Sequence, residues 1–326
     1  MKHVFIVNPV SGQGKQEDLI NQINELIAEN EKGKGKGDEN ARDIKLYYTR
    51  GEKDATVLAD MIAKEAGDEM VCVYACGGDG TINEVVNGLV GHENAAFGVV
   101  PVGSGNDFVR AAGGGVKSAS KFLNLRKQIN GELIKSDVIK LTYMQDGEMK
   151  TSYAINGINI GFDGNTAILA HDLKELPLVA GSFSYILAVA SNLIAKKGQS
   201  LRVTADGEEF HFGPLLLATA ANGGFCGGGV ESCPYADLSD GYAELLAIKN
   251  MPRWKFVSLF PKYQKGKIFE IKDVDAIAKY RRAKEITIEP LLAPTMKFVA
   301  DGEIYETGTL KIEMLEKALW LMIPEA

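Results

Sequence analysis

The sequence predicts two domains: an N-terminal α/β domain with a mostly parallel sheet (residues 1–135) and a C-terminal antiparallel β-sandwich (residues 136–326). The extreme C-terminus is free to return to the first. Three observations predict this. The 326 residues exceed the commonest single-domain size. Apolar strand-like runs alternate with helical patterns over the first third. From about Ser136 onward, paired strands flank Asp-Gly turns instead.

In chain order, residues 4–7 are apolar and β-branched, and Leu19, Ile20, Ile23, Leu26 and Ile27 recur at helical spacing. Residues 44–48, 71–75 and 97–100 read as further strands, with helical patterns over 57–66 and 82–89. Strands this continuously apolar belong to a parallel sheet covered on both faces. The run Glu31-Lys-Gly-Lys-Gly-Lys-Gly-Asp-Glu39 reads as a solvated surface loop, with contact of its lysines to phosphate or lipid headgroups as the alternative. Hairpins are expected at 139–155, 201–218 and 297–307, turning at Asp146-Gly147, Asp206-Gly207 and Asp301-Gly302.

Apolar residues make up 45% and charged residues 24%, an ordinary globular composition. A net charge of −7 excludes a nucleic-acid footprint spread over the whole surface. Cys72, Cys76, Cys226 and Cys233 form no C-x-x-C pair, which excludes a zinc knuckle and a thioredoxin-type site; four free thiols suit a reducing cytoplasm. The first residues lack the long apolar region of a signal peptide. Residues 176–195 carry no charge over 20 positions, but a proline, a glycine and several polar residues favour a buried helix over a membrane span.

The most informative segment is Cys76-Gly77-Gly78-Asp79-Gly80-Thr81-Ile82-Asn83-Glu84, which follows a strand and opens a helix. Glycines let backbone amides approach a phosphate, and a helix N-terminus adds positive potential. A carboxylate beside a polyphosphate is repulsive unless a divalent cation lies between them. Mg²⁺ bridges carboxylates to phosphates, so Asp79 points to a Mg-nucleotide; a plain helix N-cap is the competing reading. Two other loops leave parallel strands at ligand-binding ends: Asn8-Pro9-Val10-Ser11-Gly12-Gln13-Gly14-Lys15, and Pro101-Val102-Gly103-Ser104-Gly105-Asn106-Asp107-Phe108. The first is neither a Walker loop nor a dinucleotide fingerprint. The second offers a hydroxyl, an amide and a carboxylate within four residues. The histidines at 3, 92, 171 and 211 show no triad or metal spacing, and phosphoryl transfer needs none.

These three loops, with Gly77 to Gly88 and Ala221-Asn-Gly-Gly-Phe-Cys-Gly-Gly-Gly229 ahead of Pro234, Ala236 and Asp240-Gly241, resemble the diacylglycerol kinase catalytic domain nearly end to end. The bacterial soluble enzymes and related lipid kinases are most similar, sphingosine kinases less so; NAD kinases share the glycine-rich loop. The resemblance implies ATP between two domains, held by Asn8, Pro9, Ser11, Gly12, Thr49, Gly77, Gly78, Asp79, Gly80, Thr81, Asn83, Glu84, Ser104, Asn106 and Asp107. Ser104 stands where the family usually has threonine, which keeps the hydroxyl. It also implies a structural Mg²⁺ on the Asp240 side chain and the backbone carbonyls of Asp237 and Tyr242, although Asp-Gly alone reads as a turn. The family's general base is the glutamate of an Asp-Gly-Glu near the C-terminus. That tripeptide occurs at 146–148, 206–208 and 301–303, and only chain order selects Glu303, with Asp301 as second candidate or orienter.

Residues 249–269 contain Lys249, Arg253, Lys255, Lys262, Lys265 and Lys267, no acid, and Trp254, Phe256, Phe260 and Tyr263. This mixture suits a peripheral membrane surface, or equally a helix with its aromatics in the core. The reading implied is a cytoplasmic, membrane-visiting lipid kinase using Mg-ATP, with diacylglycerol as leading acceptor. The alternatives are another lipid alcohol (a long-chain base or phosphatidylglycerol), a soluble NAD-kinase-type enzyme, and a non-catalytic lipid-binding protein. A homodimer stays open.

Overall fold

Val4, Phe5, Ile6 and Val7 are all buried, which requires a strand covered on both faces. In the computed structural model, which describes residues 1–11, 16–36, 41–103, 105–115, 118–161 and 198–325, they lie in β1 (Lys2–Val7). Beside it run β2 (Asp43–Tyr48), β3 (Val71–Gly77) and β4 (Ala95–Pro101), in the order β2-β1-β3-β4 and all parallel. The connections are α1 (Gln16–Gly35), α2 (Asp54–Ala66) and α3 (Asp79–Leu89). Leu19, Ile23 and Leu26 of α1 pack with Phe5, Val7 and Tyr74 of the sheet. Two short helices follow, α4 (Asp107–Ala112) and α5 (Leu125–Ile129).

Helix α1 runs further than the sequence pattern predicts. Its last turns take in residues 31–35 of the expected loop, and residues 37–40 lie outside the described residues. Two glycines are tolerated there because Lys32 and Lys34 sit at the negative end of the helix dipole and Lys34 pairs with Asp43.

Contacts divide the chain into two compact units, residues 1–136 with 317–326 and residues 137–316. The divisions fall inside two long strands, β5 (Glu132–Gln145) and β15 (Leu310–Ile323). In the first unit, the end of β15 pairs with β4 in parallel, Trp320 opposite Ala96. The second unit is antiparallel. β6 (Glu148–Ala154) pairs with β5. β7 (Gly157–Gly161), β8 (Gln199–Ala205) and β10 (Ala243–Lys249) all pair with β9 (Glu208–Ala221). β11 (Ala278–Ala283) extends β10, and β12 (Glu285–Pro290) joins β8 to β15. β13 (Met296–Ala300) and β14 (Glu303–Thr307) form a hairpin on β7. Its core includes Ile139, Leu141, Ile158, Val203, Leu245, Ile286, Phe298 and Ile312. One helix, α6 (Arg253–Gln264), covers a second cluster of the unit.

The parallel first sheet and the antiparallel second region match the predicted fold class. All three Asp-Gly pairs turn as expected, with positive φ at both residues, as a type I′ hairpin turn demands. The charge-free segment 176–195, Gly12 and Ser104 lie outside the described residues. Among the described residues no helix is long and apolar enough to cross a membrane. The four cysteines are buried and unbridged, and burial pushes the Cys72 thiol up to about 12.

Candidate functional site

The first unit gathers three loops at the C-terminal ends of its strands. The Asn8 amide donates to the Cys76 carbonyl at 3.1 Å, and Val102 and Gly103 both donate to the Gly77 carbonyl at 3.2 Å. Asn8 Nδ2 reaches Thr81 Oγ1 at 3.4 Å. A Cβ at Gly103 would overlap the Gly78 backbone, so the loops meet as closely as they do only because residue 103 is glycine. Ser11 donates its hydroxyl to the Asn8 carbonyl at 3.1 Å and accepts from Gln16 at 3.0 Å. Pro9 is exposed in the turn, and Thr49 is buried beyond β2, its amide donating to Val7.

Asp79 does not cap its own helix. The N-cap of α3 is Gly78, which has no side chain to accept from the first-turn amides of Asp79, Gly80 and Thr81. No N-cap side chain therefore covers that end of α3, where the positive pole of its dipole lies. The Asp79 carboxylate instead accepts the Asn106 amide at 3.1 Å and the Asp107 amide at 3.2 Å, at the start of α4. It therefore fixes the third loop against the second. Asp107 pairs with Arg110 at 2.9 Å, and Asn106 adopts a left-handed conformation with its side-chain amide on the Gly103 carbonyl at 2.8 Å. Glu84 faces elsewhere: its carboxylate accepts the Lys53 and Ala55 amides at 2.9 and 3.1 Å, at the start of α2. Asn83 is buried and accepts from Asn87 at 3.2 Å.

The second unit has a buried polar hub of its own. The Asp301 carboxylate accepts three backbone amides, from Ile155 at 2.6 Å, Asn156 at 3.1 Å and Gly157 at 2.9 Å. Asn156 holds the Phe225 carbonyl at 2.8 Å, and the Asn222 and Gly223 amides donate to the Asn156 carbonyl. Asn222 in turn donates to the carbonyls of Ile155 at 2.8 Å and Asp137 at 3.0 Å. Asp137 is fully buried and accepts the Gly241 amide. A continuous run of hydrogen bonds thus links Asp301 to the Asp240-Gly241 turn. Glu303 opens β14 with its side chain exposed, and Tyr305, on the same side of that strand, is pushed up to about 12 by burial.

The donors expected for a structural Mg²⁺ suit it in kind, since Mg²⁺ takes carboxylate and carbonyl oxygens. Both Asp240 carboxylate oxygens have protein partners. Asp240 already forms an ion pair with Arg282 and accepts the Tyr242 amide at 2.9 Å. Asp237 accepts the amide and hydroxyl of Ser239 at 2.9 and 2.8 Å. Arg282 and Lys284 both lie over the Tyr242 ring. No trio of acidic, histidine or cysteine side chains among the described residues forms a metal cluster. The Arg282 guanidinium balances the charge of Asp240, and Mg²⁺ on that carboxylate would compete with it. Nearby Glu244 is buried with one carboxylate oxygen unpartnered among the described residues, and burial, partly offset by Arg282, raises it to about 7.

Gln16, Arg110, Asp137, Asn156, Asn222, Glu244 and Arg282 were not singled out in sequence. Asn222 falls in the Ala221–Gly229 glycine-rich stretch and Arg110 stands three residues after Asp107, which are the only local signals they carry.

A diacylglycerol kinase catalytic domain profile matches residues 2–141, and the profile described as a YegS C-terminal NAD kinase β-sandwich-like domain matches residues 156–323. A diacylglycerol kinase of Bacillus subtilis is 30% identical over 244 residues, covering 74% of each chain. The crystal structure of a diacylglycerol kinase from Bacillus anthracis superposes with a TM-score of 0.67 at 21% identity, over 98% of this chain and 96% of that one. Yeast NADH kinase in complex with NADH has a TM-score of 0.51 at 10% identity, over 100% of this chain and 84% of that one. At those identities the two structures speak for the fold alone.

Proposed function

As the chain belongs to the diacylglycerol kinase family of lipid kinases, we propose that it transfers the γ-phosphate of Mg-ATP to the free hydroxyl of diacylglycerol, giving phosphatidic acid and ADP. The observation that carries the acceptor half is the contrast between three identical tripeptides. Asp146-Gly147-Glu148 and Asp206-Gly207-Glu208 are surface hairpins, whereas Asp301 is buried under three amides and holds its turn rigidly. Glu303 then has a fixed base beneath it and an exposed carboxylate. We assign it the proton of the acceptor hydroxyl, whose oxygen attacks the γ-phosphorus as the bond to the β–γ bridging oxygen breaks.

The N-terminus of α3, whose N-cap is a glycine without a side chain, and the glycine-lined loops would supply the phosphate-binding half. Bound Mg²⁺ would neutralise phosphate charge there, with Asp79 as its carboxylate ligand; Asp79 is already oriented by the Asn106 and Asp107 amides. The enzyme would work at the cytoplasmic face of a membrane, where its acceptor resides.

The likeness to NADH kinase in fold favours one rival, phosphorylation of a soluble dinucleotide. Transfer of label from γ-labelled Mg-ATP to diacylglycerol, a long-chain base and phosphatidylglycerol in mixed micelles, with NAD assayed separately, distinguishes them. Label in diacylglycerol is expected. Label in NAD alone, or nowhere, overturns the reading.

A further inference from the structure

Helix α6 has two faces. Phe256, Leu259, Phe260 and Tyr263 recur at helical spacing and pack with Met251, Ile268 and Ile248 of the second unit. On the other side Trp254 is 73% exposed and Val257 51%, and Pro261 continues the same stripe one turn on. A single exposed apolar side chain is ordinary; a tryptophan, a valine and a proline in a row along one helix are not. Lys255, Lys262 and Lys265 border the stripe, and none has an ion-pair partner among the described residues. Residues 249–269 contain no acid. The nearby acids are Glu270, held by Lys267 at 3.5 Å, and Glu231 beside Gly266 at the end of the helix.

The composition of this face selects its occupant. Lysine is depleted at protein–protein interfaces, but its long stem lies well along apolar surface with the ammonium at a headgroup. Tryptophan belongs at the boundary between hydrocarbon and water. A chain of net charge −7 is repelled by an anionic surface over most of its area, so a locally cationic face decides which side approaches. We propose that this face of α6 docks the protein on an anionic lipid bilayer. Trp254 and Val257 enter the interface, and Lys255, Lys262 and Lys265 meet the headgroups. The inference deepens the lipid-kinase reading and rests on it for its purpose.

Because the chain has two tryptophans, Trp320→Phe in the full-length protein leaves Trp254 as the only reporter. With vesicles of equal parts phosphatidylcholine and phosphatidylglycerol, Trp254 emission should move to the blue and be quenched by brominated acyl chains. Neither change is expected with phosphatidylcholine alone or in high salt. In vesicle sedimentation, Trp254→Ser should weaken binding about tenfold, with the thermal melt unchanged. Lys262→Glu with Lys265→Glu should weaken it by more than about tenfold. Unquenched Trp254 on the phosphatidylglycerol vesicles overturns the proposal. So does a blue shift that follows protein concentration without lipid, which assigns the face to a second copy. Phosphorylation of a dissolved short-chain diacylglycerol by protein whose Trp254 is never quenched removes the docking face and keeps the kinase. Quenching without any lipid phosphorylation does the reverse.

Discussion

Three backbone amides converge on the Asp301 carboxylate, while the same residue in the other two Asp-Gly-Glu hairpins stays on the surface. Asp206 accepts the Lys284 and Glu285 amides at 2.9 Å, but in exposed positions. Asp301→Asn turns one acceptor oxygen into a donor facing amides that also donate. The buried amides lose their partner, at a cost of about 2–4 kcal/mol. Unfolding of the second unit, followed by Trp254 fluorescence, should shift accordingly; an unchanged midpoint would return Asp301 to an ordinary turn residue. At this scale the sequence reading was uneven. Asp79 and the 301–303 turn could be singled out because glycines and turn chemistry are local. Asp137, Asn156 and Asn222 could not, because a polar side chain becomes a buried hub only through partners remote in sequence. Glu84 was singled out for the wrong partner, since its neighbours in sequence point to phosphate while its carboxylate accepts amides at the start of another helix.

Adjacent strands bring His3 of β1 and Tyr74 of β3 together. His3 Nδ1 lies 2.8 Å from the Tyr74 hydroxyl, which donates to the Gln128 carbonyl at 3.3 Å, and His3 Nε2 has no partner among the described residues. Burial, with the charge of Arg42 adding to it, pushes His3 down to about 4 from an ordinary value of 6.5. The unfolded chain therefore binds a proton that the folded chain refuses between pH 6.5 and 4. This contribution to stability is complete above that window, falls as pH drops through it, and is constant below. The loss is about 3 kcal/mol. Trp320, which belongs to the first unit, should report a denaturant midpoint that falls from pH 7 to pH 5, and His3→Gln should flatten that dependence. An unchanged slope in the variant would show that His3 is not the group responsible. Elements with a clear period were legible: the buried apolar runs of β1, β3 and β4 and the amphipathic spacing of α1 and α2. The two faces of α6 were not, because aromatic side chains at helical spacing read the same whether they meet a core or a solvent; contacts with the second unit separate Tyr263 from Trp254.

Over the whole molecule, the change from alternating strands and helices to Asp-Gly hairpins marks where one sheet type gives way to the other. What that change does not convey is the use of β15. Its early residues pair antiparallel with β12 and its last residues pair parallel with β4, so one strand, with Lys317 left-handed at the division, serves two units. Nothing in the composition of a 14-residue strand signals a change of partner along its length. The family is likewise carried by the molecule as a whole, since one profile matches residues 2–141 and the other residues 156–323. On the proposed reading, phosphoryl transfer asks different things of the two units: nucleotide phosphates at α3, and a base at β14. The most direct measurement is single-turnover transfer from Mg-ATP to diacylglycerol in mixed micelles by Glu303→Gln, with ATP affinity determined alongside. ATP affinity equal to wild type with transfer slowed by about a hundredfold or more is the predicted result; transfer at the wild-type rate would contradict the assignment of Glu303 as the base.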